Sequence, residues 1–192
     1  MTHPDLLILR HGETEWNRAG RMQGAQDSPL TAQGRAQASA QANILSRFGI
    51  EGWTLYASPQ GRAVSTAQIA YGTRAGDMIK DPRLSEITMG TWTGRPRAEI
   101  VAQMPYLFED GNDLGWYDHA PGGEGLAALY ARTGAFLAQC TGPSVIVTHG
   151  ITSRMLRCHA LGLEAAEFAD LPGGQGVVYH LSGGVQSKLT DT

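Results

Sequence analysis

The sequence has few cysteines, no cluster of basic residues and no long apolar run. Cys140 and Cys158 are the two cysteines in 192 residues, and they lack the spacing of a disulfide framework or a metal site. We therefore expect two buried packing thiols. No apolar stretch approaches the roughly 20 residues that a membrane-spanning helix requires. A formal net charge of −3 without a basic run argues against nucleic acid or an anionic membrane as a partner.

The start of the chain also lacks a recognisable targeting segment. The first apolar strand begins within a few residues of Met1, which leaves no room for the successive regions of a secretory signal. We therefore expect a cytoplasmic protein whose partner is a small molecule. A chain of this length can bury roughly 70% of its unfolded surface. We expect residues 1–192 to form one domain that needs no metal or disulfide in order to fold.

Apolar segments and helix-like patterns alternate along the chain. The segments that predict strands are "LLIL" at 6–9, "WTLYAS" at 53–58, "SVIVT" at 144–148 and "GVVYHL" at 176–181. One of the helices between them is expected to begin after Thr31, a good N-cap, and to stop at Gly49. This alternation predicts an α/β fold, a three-layer α/β/α sandwich with a mostly parallel central sheet. The irregular segment at about 87–125 is expected to cross the functional edge of that sheet.

Two of the predicted strands end in the same pair of residues. His11 and Gly12 follow the first strand, and His149 and Gly150 follow the strand at 144–148. A single histidine in this position is commonly a capping or hydrogen-bonded turn residue. Ligands in open α/β sheets collect at the carboxyl ends of the strands. Two matched endings therefore favour a functional site over two turn histidines.

Two arginines are expected to join these histidines. Arg10 precedes His11, and Arg62 opens a helix after another predicted strand. A cluster of such groups repels itself unless an anion is present. Guanidinium groups match the oxygens of a phosphoryl group, and helix N-termini after Gly12 and Gly150 would add N–H donors. Taken singly, each arginine could instead be a surface or salt-bridged residue.

Glu86 is the one acidic candidate for proton transfer. It lies in a loop-like stretch, "LSEITMGTWTG", where an isolated glutamate is usually a solvated surface residue. Cleavage of a phosphate ester needs a proton donor for the leaving oxygen, and the other candidates are cationic or potential nucleophiles. Glu86 is therefore the best available general acid.

Six stretches form an ordered set of motifs from residue 8 to about residue 150. They are "LRHGETEWN", "GRMQGAQDSPLTAQGRAQA", "SPQGRAVSTA", "LSEITMGTWTG", "PGGEG" and "VTHG". In this order they resemble the histidine phosphatase superfamily, also called the phosphoglycerate mutase-like family. The resemblance implies a fold of that family and chemistry on a small phosphorylated metabolite, without a metal or another cofactor.

The resemblance also implies roles for the candidate residues. His11 would be the nucleophile that becomes phosphorylated, and Arg10, Arg62 and His149 would surround the phosphoryl group. Glu86 would act first as the acid and then as the base. His11 must be neutral to attack phosphorus, so we expect its other ring nitrogen to donate a hydrogen bond to a backbone carbonyl.

Further positions either extend this pattern or depart from it. Asn17 and Gln23 fall where the family often adds contacts to phosphate or water, although purely structural roles are equally open for both. Gly150 would bind phosphate through the start of its helix. The sequence departs from the family at Gln60, where Leu is more common, and at Gly125, where Ser is common. We expect Gln60 to change the packing behind the site.

The sequence favours a phosphatase over a mutase. A mutase needs extra cations around the far end of its substrate, yet residues 98–125 contain no Lys or Arg. The six acids of this stretch are Glu99, Glu109, Asp110, Asp113, Asp118 and Glu124. If they cover the pocket, they would repel phosphoglycerate and favour a neutral, cationic or aromatic leaving group. They could equally form a solvated loop with an aromatic anchor.

Two further alternatives remain open from the sequence. A protein that binds phosphate without turnover would need the same pocket. A histidine metal site is weaker, because His11 and His149 lack nearby ligand partners in the sequence and Arg10 opposes a cation.

Overall fold

A six-stranded mixed sheet forms the centre of the fold in the computed structural model, which describes residues 3–108 and 114–191. The strands are β1 (Leu6–Arg10), β2 (Thr54–Ala57), β3 (Ile79–Lys80), β4 (Ser144–Thr148), β5 (Val178–Ser182) and β6 (Val185–Leu189). Their order across the sheet is β3-β2-β4-β1-β5-β6. The first four of these strands pair in parallel, whereas β5 pairs antiparallel with both β1 and β6.

Helices connect the strands and cover the sheet. The α-helices are α1 (Glu15–Arg18), α2 (Ala32–Phe48), α3 (Gly61–Tyr71), α4 (Arg97–Gln103), α5 (Gly125–Leu137) and α6 (Gly150–Leu161). Short 3-10 turns span Gly72–Asp77, Pro82–Leu84, Gly90–Trp92, Pro105–Phe108, Gly115–His119 and Ala165–Asp170. The predicted ends of α2 are confirmed: the Thr31 hydroxyl accepts the Gly34 N–H, and Gly49 is the C-cap.

The layers of the sandwich follow from the alternation of side chains along the strands. Leu7 and Leu9 pack on one face of the sheet with residues of α2 and α3. Leu6 and Ile8 pack on the other face with residues of α5 and α6. Strand β1 is therefore apolar throughout, because both of its faces are buried. The predicted three-layer α/β/α arrangement is confirmed.

The sequence patterns predicted neither β3 nor β6, and they did not predict the antiparallel direction of β5. Strand β3 has two residues, and the side chains of edge strand β6 are largely exposed, so neither has the apolar pattern of a buried strand. The segment predicted at 176–181 forms β5 at Val178–Ser182, antiparallel to β1. Cys140 and Cys158 are buried and free, as expected.

The irregular segment has an apolar core of its own. Trp92, Ile100 and Trp116 are buried in it and pack with residues of α5 and α6. Across the described ranges, no helix combines the length and the apolarity needed to cross a membrane. The expectation of a single domain over residues 1–192 stays a prediction.

Candidate active site

The two histidines meet at the carboxyl ends of adjacent parallel strands. Strands β1 and β4 run in register, and the His11 N–H donates to the Thr148 carbonyl at 2.9 Å. The ring centroids of His11 and His149 are 5.1 Å apart, and both residues are buried. The structure thus places both His-Gly endings at one edge of the sheet, as the sequence predicted.

The His11 ring is held in one tautomer. Its Nδ1 lies 2.7 Å from the Gly12 carbonyl oxygen, and a carbonyl can only accept, so Nδ1 carries the proton. The lone pair of the neutral ring is then on Nε2. Burial lowers the pKa of His11 well below its ordinary range, and the charges of Arg10 and Arg62 lower it further. The expected hydrogen bond to a backbone carbonyl is present.

Gly12 is required by close packing against α2. A Cβ atom on Gly12 would lie 2.1 Å from the Gly34 carbonyl oxygen, and one on Gly34 would lie 2.0 Å from the Glu13 carbonyl oxygen. The Gly12 N–H donates to Thr66 Oγ1 at 3.0 Å. No helix starts directly after Gly12, since α1 begins only at Glu15. The expectation of a free N–H donor at a helix start here is therefore wrong.

Arg62 opens α3 and is the most heavily bonded member of the cluster. Its fully buried guanidinium donates from Nη1 to Asp27 Oδ1 and to the Gln26 carbonyl, both at 2.7 Å, and from Nη2 to the Gly24 carbonyl at 3.0 Å. Burial lowers the pKa of Arg62, while the neighbouring carboxylates oppose this effect. Asp27, which sequence reasoning missed, thus balances much of its charge.

Three buried nitrogens around His11 have no hydrogen-bond partner among the described residues. They are Arg10 Nε, Arg62 Nε and His149 Nδ1. His149 Nε2 lies 2.8 Å from Ser58 Oγ. Burial lowers the pKa of His149 well below its ordinary range, and the charge of Arg62 adds to this effect. Buried polar groups in folded proteins are nearly always paired, and the two arginine Nε–H groups are donors, so they suit a ligand that supplies acceptors.

The Glu86 carboxylate lies at the N-terminus of α6, although Glu86 itself belongs to a distant loop. Its carboxylate accepts the Ile151 N–H at 3.2 Å, the Thr152 N–H at 3.1 Å and the Thr152 hydroxyl at 2.9 Å. The Ile151 and Thr152 N–H groups at the start of the helix therefore hold Glu86, and contact between Gly150 and phosphate stays a prediction. A Cβ atom on Gly150 would lie 3.5 Å from Arg10 Cζ, which is ordinary van der Waals contact.

Asn17 and Gln23 brace the turn that follows β1. The Asn17 side chain accepts the Thr14 N–H at 3.2 Å, and Gln23 Nε2 donates to Thr14 Oγ1 at 2.8 Å. Both residues also lie on the wall of the cavity described next. Their contact with phosphate stays a prediction.

A cavity of about 200 Å³ opens beside the cluster. Arg10, His11, Arg62 and Glu86 all line it, whereas His149 reaches the cluster through its contact with His11. The volume is smaller than that of a typical drug-sized pocket, which suits a small metabolite. In the described part of the chain, no three His, Cys, Asp or Glu side chains are grouped so that they could hold a metal ion.

Arg21 and Arg97 also line this cavity, and the sequence analysis missed both. An antiparallel bridge joins Arg21 to Pro96, and the Arg97 N–H donates to the Gly20 carbonyl at 2.8 Å. Arg21 Nη1 donates to the Gly94 carbonyl at 3.1 Å. Within residues 3–108 and 114–191, neither arginine has an ion-pair partner. The arginines of the separate "GRM" and "GRPR" stretches are visible in the sequence, but no sequence pattern indicates that the two stretches lie next to each other.

None of the described acids of the irregular segment lines the cavity. Glu99 and Asp118 are exposed, and Glu124 pairs with Arg132 at 2.9 Å. Glu109, Asp110 and Asp113 lie outside the described residues. Tyr117 lines the cavity, and burial raises its pKa to about 12. The described residues fit the alternative of a solvated acidic loop with an aromatic anchor, and they do not form an acidic cover.

Comparisons with known proteins agree with this geometry. The family model described as histidine phosphatase superfamily (branch 1) matches residues 6–187. Phosphoserine phosphatase 1 of Hydrogenobacter thermophilus is 32% identical, with 85% of this chain and 79% of the relative covered. A probable phosphoglycerate mutase, GpmB, of Serratia proteamaculans is 37% identical, with coverage of 83% and 76%. The structure of a mycobacterial glucosyl-3-phosphoglycerate phosphatase superposes with a TM-score of 0.78 at 31% identity, covering 94% of this chain and 90% of that one.

Proposed function

Because this chain belongs to the histidine phosphatase superfamily, we propose that it hydrolyses small phosphomonoesters through a phosphohistidine formed on His11. The observation that carries the proposal is the group of three buried, unpartnered nitrogens beside His11, from Arg10, Arg62 and His149. A phosphoryl group has the acceptor oxygens that the two arginine Nε–H groups need. Relatives named as phosphatases act on small phosphorylated compounds, which supports the same substrate class here.

In the first step, the lone pair on His11 Nε2 attacks phosphorus, and the bond between phosphorus and the ester oxygen breaks. Glu86 donates a proton to the departing oxygen. Its Oε2 accepts one hydrogen bond, from the Ile151 N–H, and so has room to hold that proton, whereas Oε1 accepts several. Arg10 and Arg62 stabilise the charge on the transferring group.

In the second step, water replaces the leaving group. Glu86, now ionised, takes a proton from the water, the oxygen attacks phosphorus, and the bond to Nε2 breaks. Inorganic phosphate leaves, and His11 returns to its neutral form. The cycle is metal-independent in this proposal, because fixed guanidinium groups already supply positive charge and would repel a metal cation.

Phosphoglycerate mutase activity is the second candidate, and a specific observation favours keeping it. Arg21 and Arg97 supply the kind of cation at the cavity wall that the sequence of residues 98–125 lacks. They could hold an anionic group on the far part of the substrate. Phosphatase activity remains the first proposal, since hydrolysis needs only the cluster around His11.

The first prediction concerns the nucleophile. We expect the native protein to hydrolyse aryl and nucleoside-like phosphate esters without added metal, with negligible mutase turnover. His11→Ala should lose essentially all activity, because no other group attacks phosphorus. The measurement is a panel of monoesters with a chelator present, including 3-phosphoglycerate with and without its bisphosphate.

Each outcome of this panel decides between the alternatives. An alanine variant with near-native rates would show that the nucleophile is assigned wrongly. Activity that depends on added metal would contradict the metal-free cycle. Inactivity of the native protein on every ester would favour a protein that binds phosphate without turnover.

A further inference from the structure

Gln60 stands at a junction between three walls of the cavity. It is the N-cap residue of α3, but its side chain makes no capping hydrogen bond. Asp27 takes that role instead, accepting the Gly61 N–H at 2.7 Å and the Arg62 N–H at 3.2 Å. The Gln60 amide is therefore free to bind elsewhere.

The amide binds three groups from three different parts of the chain. Its Oε1 accepts the backbone N–H of Glu86 at 2.9 Å and Nη2 of Arg62 at 3.3 Å. Its Nε2 donates to the Gly24 carbonyl at 2.9 Å. Glu86, Arg62 and Gly24 all line the cavity.

Only one orientation of the amide satisfies these partners. The side facing Glu86 and Arg62 meets two donors, and the side facing Gly24 meets a carbonyl that can only accept. Exchanging the amide oxygen and nitrogen would oppose donor to donor and acceptor to acceptor. Leucine has a similar size but can make none of these three bonds.

We propose that Gln60 is a positioning residue that fixes the proton-transfer group Glu86 and the phosphate-binding group Arg62 relative to each other. Its catalytic consequence rests on the proposed function. The backbone of Glu86 is tied by Gln60, and its carboxylate is tied by Ile151 and Thr152 at the start of α6. Loss of Gln60 would leave Glu86 held only through its carboxylate.

The test is Gln60→Leu with two substrates that differ in their need for acid. An alkyl ester such as glycerol 2-phosphate needs its leaving oxygen protonated, whereas 4-nitrophenyl phosphate does not. We expect kcat/KM to fall about tenfold more for the alkyl ester, since a misplaced donor weakens only the step that needs it.

The control is Gln139→Leu, which removes an exposed amide that accepts a hydrogen bond from Arg83 at 2.8 Å. It should leave the ratio between the two substrates unchanged. An equal fall for both esters in Gln60→Leu would overturn the proposal, because a residue that positions the acid must affect the ester that needs the acid more strongly. No fall for either ester would also overturn the proposal.

A second measurement does not depend on activity. Hydrogen exchange of the Glu86 backbone amide should be about tenfold faster in Gln60→Leu than in the native protein, because its acceptor is lost. An unchanged exchange rate of this amide would show that Gln60 does not hold the Glu86 backbone. If the native protein hydrolyses neither ester, the proposed function fails, and this measurement still decides whether Gln60 holds Glu86.

Discussion

Burial, more than charge, keeps His11 neutral. Desolvation is the largest cause of its lowered pKa, and Arg10 and Arg62 add to it. The same order of causes holds for His149, where Arg62 is the largest charge effect. A neutral ring with its proton on Nδ1 is the form that can attack phosphorus. Packing at the strand ends therefore prepares the nucleophile before any substrate binds.

This neutrality predicts a pH dependence of stability. Both histidines have a folded pKa below the ordinary value of 6.5. As pH falls through 6.5, the unfolded chain binds protons that the folded protein does not, so the free energy of unfolding decreases. Each histidine contributes up to about 1.4 kcal/mol per pH unit in this window. Urea unfolding between pH 7.5 and pH 5.5 measures the effect.

The matched variants separate these two rings from other titrating groups. Replacing His11 and His149 together by asparagine should reduce the slope of stability against pH, while the same change at the exposed His119 should not. A slope that persists in the double variant would show that neither buried histidine is responsible.

At the scale of elements, the site depends on how closely α2 approaches the end of β1. Gly12 and Gly34 permit contact between backbones that no side chain would allow. The start of α6 is the second such feature, since its N–H groups hold Glu86. The ends of β1 and β4 thus supply the histidines, while the N-terminus of α6 fixes the position of Glu86.

Substitutions at this contact should be costly. Gly12→Ala and Gly34→Ala each place a methyl group about 2 Å from a backbone oxygen, so β1 and α2 must separate. We expect each change to lower the free energy of unfolding by about 3 kcal/mol or more. Gly142→Ala is the control, because nothing lies within 4 Å of its Cβ position. Equal urea midpoints for Gly34→Ala and the control would contradict this account.

At the scale of the whole molecule, the cavity joins segments that are far apart in sequence. Arg10 ends β1 and His11 follows it, and Glu86 comes from a loop. Arg97 begins α4 and is brought near Arg21 by the bridge between Arg21 and Pro96. Apart from Glu86, no described acid lines the cavity. The field at its wall is therefore positive, so an ester whose leaving group carries a negative charge gains an attraction that a neutral aryl ester lacks.

This field predicts substrate preference. Arg21→Gln and Arg97→Gln should lower kcat/KM for an ester with a carboxylate, such as 3-phosphoglycerate, by about tenfold. The change for 4-nitrophenyl phosphate should be several-fold smaller, because its leaving group carries no carboxylate. Arg18→Gln, at an exposed i,i+3 ion pair with Glu15, is the matched control. Equal effects on both esters would argue against recognition of the leaving group.

Local pattern determined much of this protein. The apolar runs of β1 and β4 and the cap residues Thr31 and Gly49 follow from rules that act within a few residues. The His-Gly endings follow because parallel strands share one edge. By contrast, β3 and β6 lack the apolar pattern, since an edge strand buries little of its surface.

Only the tertiary structure decided which partners hold the charged side chains of the site. It joined Asp27 to Arg62 and Gln60 to Glu86, placed the Glu86 carboxylate at the start of α6, and brought Arg21 beside Arg97. These contacts span long separations along the chain, and each is made by a polar side chain with no periodic pattern. Sequence periodicity reports which face of an element is buried, whereas a hydrogen-bond partner is set by the packing of whole elements against one another.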